Sequence, residues 1–148
     1  MDVDALLVQV LARLSAYSEK ESLNRSEARE KILRTIVQEA RHFTAIDLLE
    51  RLAKRHPEVG KATLYRNLPI LVASGVLCEG PTDPDGQVLY ELAEDEHHDH
   101  IFCLDCRRIF EFHDEGIEKR QEAVTNDLRF ETKGHRHVIY ANCGYLKR

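Results

Sequence analysis

The run His97-His98-Asp99-His100, with Cys103 and Cys106 following at CxxC spacing, restricts what this chain can fold into more than any other stretch of it. Three imidazoles and a carboxylate in four residues are poor material for an apolar core, and their donor atoms are those that hold divalent transition ions. On a β-strand alternate side chains face opposite sides, so His98 and His100 would share one face and His97 and Asp99 the other. One strand can therefore feed two separate sites. Neutral imidazole nitrogen with carboxylate oxygen suits Zn(II), Fe(II), Mn(II) or Co(II). The remaining ligands must come from other segments. Carboxylates at Glu91, Glu111 and Glu118 and imidazoles at His42, His135 and His137 are all available, and spacing does not choose among them.

The cysteines extend the argument. Cys103 and Cys106 have the gap of a zinc knuckle, which normally pairs with a second CxxC or a His/Cys pair. Here that second half is incomplete, because Leu146 stands where a partner for Cys143 would fall and Cys78 is the only other thiol. Cys103, Cys106 and Cys143 are thus expected to form an incomplete structural zinc site. No stretch reaches the roughly 18 to 20 apolar residues of a membrane span, and the start, MDVDALLVQVLARL, is acidic where a secretion signal is basic. The expectation is a cytoplasmic protein with no membrane association, whose thiols bind metal in preference to forming disulfides.

At 148 residues the chain suffices for one ordinary domain or two small ones. Its charge favours two. Residues 1–80 carry 12 Lys/Arg against 11 Asp/Glu, whereas residues 81–148 carry 9 against 15, so a DNA contact belongs to the first part and a cation site to the second.

The first part reads as helices. Leu6, Leu7, Val10, Leu11 and Leu14 mark an amphipathic helix over 4–18. Ser26 looks like the N-cap of a second, with Arg29, Ile32, Leu33, Ile36 and Val37, ending near Arg41 and His42. Thr44 caps a third, with Ile46, Leu48, Leu49 and Leu52 inward and Pro57 closing it. A turn through Gly60 leads to KATLYRNLPILVASG, stopped at Gly75. Two helices joined by a short turn after a supporting helix make a helix-turn-helix, and the Pro/Asp/Gly cluster before Val88, Tyr90 and Leu92 predicts a β-hairpin wing. Pro69 removes a backbone donor inside the fourth helix and predicts a kink or 3₁₀ turn there. After AEDE (93–96) the pattern becomes strand, strand, helix and one long final strand over 130–143.

The start of the fourth helix is where a recognition helix reaches base edges, so Lys61, Thr63, Tyr65 and Arg66 are candidate DNA contacts, with Arg29 counted beside them. The same three-helix pattern also serves protein partners, and such a module would show no salt-dependent affinity for duplex DNA. Enzymatic readings lack a motif: there is no GxSxG, phosphate loop or HExxH, and His113-Asp114-Glu115 follows the CxxC where a nucleobase deaminase places its HxE before it. No enzyme is expected.

Taken together, GKATLYRNL (60–68), HHDHIFCLDC (97–106) and the glutamate-bearing strand and helix after them resemble the ferric uptake regulator family, from about Leu23 to Cys143. The resemblance implies an α+β protein, with an N-terminal winged helix-turn-helix DNA-binding domain (1–92), a hinge (93–96) and a small αβ metal-binding dimerisation domain (97–148). It implies a repressor that binds double-stranded operator DNA as a homodimer, or as a tetramer of paired dimers, when metal is bound. Carried over by residue, a regulatory site would comprise His42, Glu91, His98, His100 and Glu111, and a second site His97, Asp99, Glu118 and His135. Both sets respect the strand parity. Peroxide sensors of the family favour aspartate where this chain has Glu91 and Glu111, so Fe(II) is the expected ion, with Zn(II) or Mn(II) as alternatives at the same sites. Three features depart from the family pattern: the absent partner for Cys143, Pro69 in the recognition helix, and an N-terminal helix that begins early.

Overall fold

The computed structural model describes residues 3–39, 42–93 and 98–144, and its backbone contacts divide the chain into two units, Met1–Glu94 and Asp95–Arg148. Of the expected hinge, only Ala93 lies within the described residues.

The first unit runs α1 (Val3–Lys20), α2 (Glu27–Glu39), β1 (His42–Thr44), α3 (Ala45–Arg55), α4 (Lys61–Ala73), β2 (Leu77–Thr82) and β3 (Val88–Leu92). Its core takes in Ile32, Leu33 and Ile36 of α2 and Leu48 and Leu52 of α3, read as inward from the sequence, and with them Leu64, Leu68 and Leu71 of α4, all closed off from solvent together with Phe43. Leu7, Val10 and Leu14 of α1 join them. Helices α3 and α4 form the helix-turn-helix, and the antiparallel sheet β1-β3-β2 carries the wing hairpin.

Local chemistry sets the boundaries. Thr44 caps α3 through a capping box, in which the Asp47 N–H donates to Thr44 Oγ1 (3.1 Å) and the Thr44 N–H to Asp47 Oδ2 (2.9 Å). Gly75, at φ 68°, ends α4 in a Schellman arrangement, with Gly75 N–H on Val72 O (3.0 Å) and Val76 N–H on Leu71 O (3.1 Å).

Four expectations need correction. Helix α4 is α-helical through Pro69, with no 3₁₀ turn there. The ring's fixed φ suits a helix and only one donor is lost, a cost offset by the burial of Leu64, Leu68 and Leu71 on the turns around it. Helix α2 is described over Glu27–Glu39, Arg41 lies outside the described residues, and His42 is in a strand too short for periodicity to reveal. Ile46 is 49% exposed, because the core-facing arc of α3 runs through Ala45, Leu48 and Leu52. The long final strand shrinks to Val138–Ala141.

In the second unit β4 (Asp99–Cys103) is the central strand, antiparallel to β5 (Ile109–Phe112) and parallel to β6 (Val138–Ala141), with α5 (Glu115–Asp127) in the crossover that a parallel pair requires. Asp114 caps α5, accepting from the N–H groups of Gly116 (2.8 Å) and Ile117 (3.0 Å). This unit buries little. Phe102 and Cys103 are its buried apolar residues among those described, whereas Phe110, Val124, Leu128, Phe130, Ile139 and Tyr140 are exposed. None of the described helices is long and apolar enough to cross a membrane.

Candidate metal centres and DNA-facing surface

Strand β4 distributes its donors as alternation demands. Asp99 and His100 are both buried and point to opposite faces of the sheet. His98 joins His100, their rings 5.0 Å apart. Across the antiparallel ladder His100 pairs in register with Glu111, and the ligand atoms of His98 and Glu111 lie within 4.8 Å of each other. His98, His100 and Glu111 are therefore brought together on one side of this unit.

The opposite side gathers Asp99, Glu118 and His135, whose ligand atoms all fall within 4.8 Å of one another. His135 Nε2 is 3.3 Å from Glu118 Oε1 and 3.7 Å from Asp99 Oδ1. Asp99 comes from the sheet centre, Glu118 from the first turn of α5 and His135 from the segment entering β6. The Asp99 side chain is 1% exposed. A carboxylate so buried is costly without positive charge beside it, and an ion held by three such donors would supply that charge. His137 Nδ1, left open by the sequence, stands 3.8 Å from Asp99 Oδ2, and Gln121 Nε2 lies 3.3 Å from His135 Nε2, a neighbour the sequence does not signal. His97, expected on this side, is outside the described residues.

In the first unit, His42 and Glu91 are register partners on β1 and β3, with Nε2 and Oε2 2.8 Å apart and both side chains largely buried. Cross-strand pairing, invisible in a linear sequence, is what joins residues so distant along the chain.

The thiols form a third cluster. Cys103, Cys106 and Cys143 bring their sulfurs within 4.8 Å of one another, and no disulfide joins them. The Cys106 N–H donates to Cys103 Sγ (3.4 Å). This backbone donor, with weaker help from the Cys143 and Cys106 thiols, outweighs burial and lowers the Cys103 thiol to about 6. Three sulfurs around one ready thiolate are suited to a thiophilic ion such as Zn(II), but they are one ligand short of a closed tetrahedral site.

On α4, Lys61, Tyr65 and Arg66 are exposed, Thr63 is half-buried, and the first turn contains no acid. Lys61 Nζ stands 5.7 Å from the Tyr65 ring centre, and Arg66 Nη2 reaches Thr63 Oγ1 at 3.5 Å. Gly60 caps the helix without a side chain, so the leading N–H groups are not occupied by a capping oxygen. Arg29 is placed differently from these four. It is 9% exposed, and its Nε donates to Asn67 Oδ1 (2.9 Å), tying α2 to α4.

The model of the Ferric uptake regulator family matches residues 20–140. The chain belongs to this family. A Ferric uptake regulation protein of Bordetella parapertussis is 39% identical over 108 residues, 73% of this chain and 77% of that protein. The Helicobacter pylori ferric uptake regulator, whose structure is described as revealing three functional metal binding sites, superposes with a TM-score of 0.83 at 27% identity, covering 96% of this chain and 94% of that one. A Francisella tularensis ferric uptake regulator solved with iron gives 0.76 at 30% identity, covering 85% and 96%. As a ferric uptake regulator family member, the chain is a metal-responsive transcriptional regulator with potential metal-binding groups in place. Regulators of this family are non-enzymatic transcription factors.

Proposed function

We propose that the chain is an Fe(II)-dependent repressor that grips operator DNA as a homodimer. In this reading His42 and Glu91 of the first unit and His98, His100 and Glu111 of the second are ligands of one regulatory ion. Asp99, Glu118 and His135, with His97, are ligands of a second ion, and Cys103, Cys106 and Cys143 hold a labile zinc. Residues 1–92 are the DNA-binding domain, 93–96 the hinge and 97–148 the dimerisation domain. The observation that carries the reading is the partition of β4, which sends His98 and His100 to one side and Asp99 to the other, each beside a further predicted ligand.

In mechanism, the regulatory ligands, once holding an ion, would favour the conformer in which two recognition helices fit successive major grooves of one operator. Lys61, Thr63, Tyr65 and Arg66 make the DNA contacts, Arg66 to guanine or phosphate and Tyr65 to a thymine methyl or phosphate. Arg29 supports α4 from behind through Asn67. The exposed apolar residues of the second unit support dimerisation, since α5 carries Val124 on a helix with no buried residue. Glutamate at 91 and 111 supports iron over peroxide sensing.

The test is metal content and duplex DNA binding of the purified protein before and after chelation, with Fe(II), Mn(II) or Zn(II) then added back. The expected result is loss of binding on chelation and recovery with Fe(II) or its surrogate Mn(II). Recovery with Zn(II) alone would make the chain a zinc sensor, and binding unchanged by chelation would end the metal-coupled reading.

A further inference from the structure

An open cleft of about 900 Å³ lies between α1 and α2. Its walls differ from an ordinary helix–helix seam. Leu11 and Leu14 line it from α1, but the same face continues through Ser15 and Ser18, and α2 answers with Arg29, Glu30 and Arg34. Hydroxyls and guanidinium groups occupy positions where two amphipathic helices usually interdigitate aliphatic side chains.

The charges do not cancel. Glu30 is taken up by Arg25 at 3.0 Å, outside the helix. Arg29 is nine-tenths buried, yet among the described residues its side chain makes one hydrogen bond, to the neutral amide of Asn67, whose own Nδ2 is committed to Thr63 O (2.8 Å). No carboxylate among the described residues lies within ion-pair distance of Arg29. A guanidinium has five donors, and with Nε given to a neutral amide the remaining ones, which are not among the sealed and unpartnered atoms of the described residues, are left to the open cleft that Arg29 lines. Arg34, exposed at the same cleft, makes no ion pair among the described residues, and Glu19 is the opposing charge on the α1 side.

We propose that the cleft between α1 and α2 binds a phosphate-type oxyanion, with Arg29 and Arg34 as its charge partners and the hydroxyls of Ser15 and Ser18 as hydrogen-bond donors. The planar fork of arginine matches tetrahedral oxyanions, and the apolar wall through Leu11 and Leu14 leaves room for an organic substituent on the anion. Because Arg29 is bonded to Asn67 of α4, occupancy is linked to the seating of the helix that carries Lys61, Tyr65 and Arg66. That linkage rests on the DNA-binding reading above; the anion site does not. The oxyanion has two sources, a free phosphate or phosphate ester and the backbone of the duplex.

The experiment titrates inorganic phosphate into the full, metal-free chain without DNA, at ionic strength held constant with chloride, following heat of binding and thermal midpoint. The parent should show a saturable isotherm, and Arg34→Gln, a change at an exposed position, should weaken it about tenfold with an unaltered far-ultraviolet circular dichroism spectrum, as expected for loss of one charged hydrogen-bonded contact. Equal isotherms for parent and Arg34→Gln would place the phosphate elsewhere and overturn the proposal. If free phosphate gives no saturable response, but Arg34→Gln lowers the salt slope of duplex binding by about one, the oxyanion at the cleft is the DNA backbone. No saturable response together with unchanged duplex binding would overturn the proposal outright. A normal phosphate isotherm in a protein that fails to bind any duplex would instead sink the DNA-binding reading alone.

Discussion

Asp99 occupies the least forgiving position of any candidate ligand, since its carboxylate sits at the sheet centre with His135, His137 and Glu118 around it. Replacing it with asparagine keeps the shape and removes the charge, so Asp99→Asn should bind one metal fewer per chain by elemental analysis while keeping its fold; an unchanged stoichiometry would remove Asp99 from the ligand set. Cys103 provides a test by pH. Its thiol is lowered from 9.0 to about 6, so the native state favours the thiolate. A depressed acid stabilises the native state fully above the unfolded value and loses that contribution as pH falls through the native one, so the window runs from about 9 down to about 6. In metal-free protein, thiolate absorbance near 240 nm should titrate with a midpoint close to 6 and vanish in Cys103→Ser. A midpoint near the ordinary thiol value would show that the Cys106 N–H does not hold the charge. At this scale the sequence is informative about identity and blind to partnership. Parity along HHDH places His98 and His100 apart from Asp99, but spacing cannot select Glu118 or His135, which arrive from a helix and a coil segment.

Among the elements, those with a long apolar period are legible in the sequence and those held by pairing are not. The stripe of α2 corresponds to buried residues, as does that of α3 through Leu48 and Leu52 with Ile46 left outside, as amphipathic helices require. Strand β1 escapes a sequence reading because three residues cannot display a period and its pairing with β3 is a tertiary fact. The final strand reads too long because the sequence over 130–143 does not show where pairing begins, and among the described residues the ladder to β4 starts at Val138. Pro69 shows a propensity rule yielding to burial, since α4 is anchored on both sides of the ring. The capping box at α3 offers a measure of local control. Thr44→Ala removes the oxygen that accepts from Asp47 N–H and should lower unfolding free energy by about 1 kcal/mol, read from the denaturant midpoint. A midpoint within error of the parent would mean that packing alone positions α3.

For the whole molecule, the asymmetry of charge along the chain leads to the expectation of DNA at the first part and cations at the second; ligand-type clusters lie in the second unit, and His42 with Glu91 adds a pair in the first. If metal-loaded protein neutralises several phosphates, its affinity for duplex should fall steeply and linearly in log–log form as salt rises, and Arg66→Ala should reduce the slope by about one while leaving metal affinity intact. Equal slopes would take Arg66 out of contact with the backbone. Oligomeric state is less legible, because apolar strand side chains such as Phe110 and Ile139 look like core residues in the sequence and only the fold reveals that they are exposed. One detail of the first unit has reach beyond its size. His42 is separated from the N-cap of α3 by a single residue, the fully buried Phe43, so no loop lies between them to take up slack. Strand and helix are joined like a crank to its shaft, with the imidazole one residue from the leading end of the helix-turn-helix and no slack segment to absorb a displacement between them.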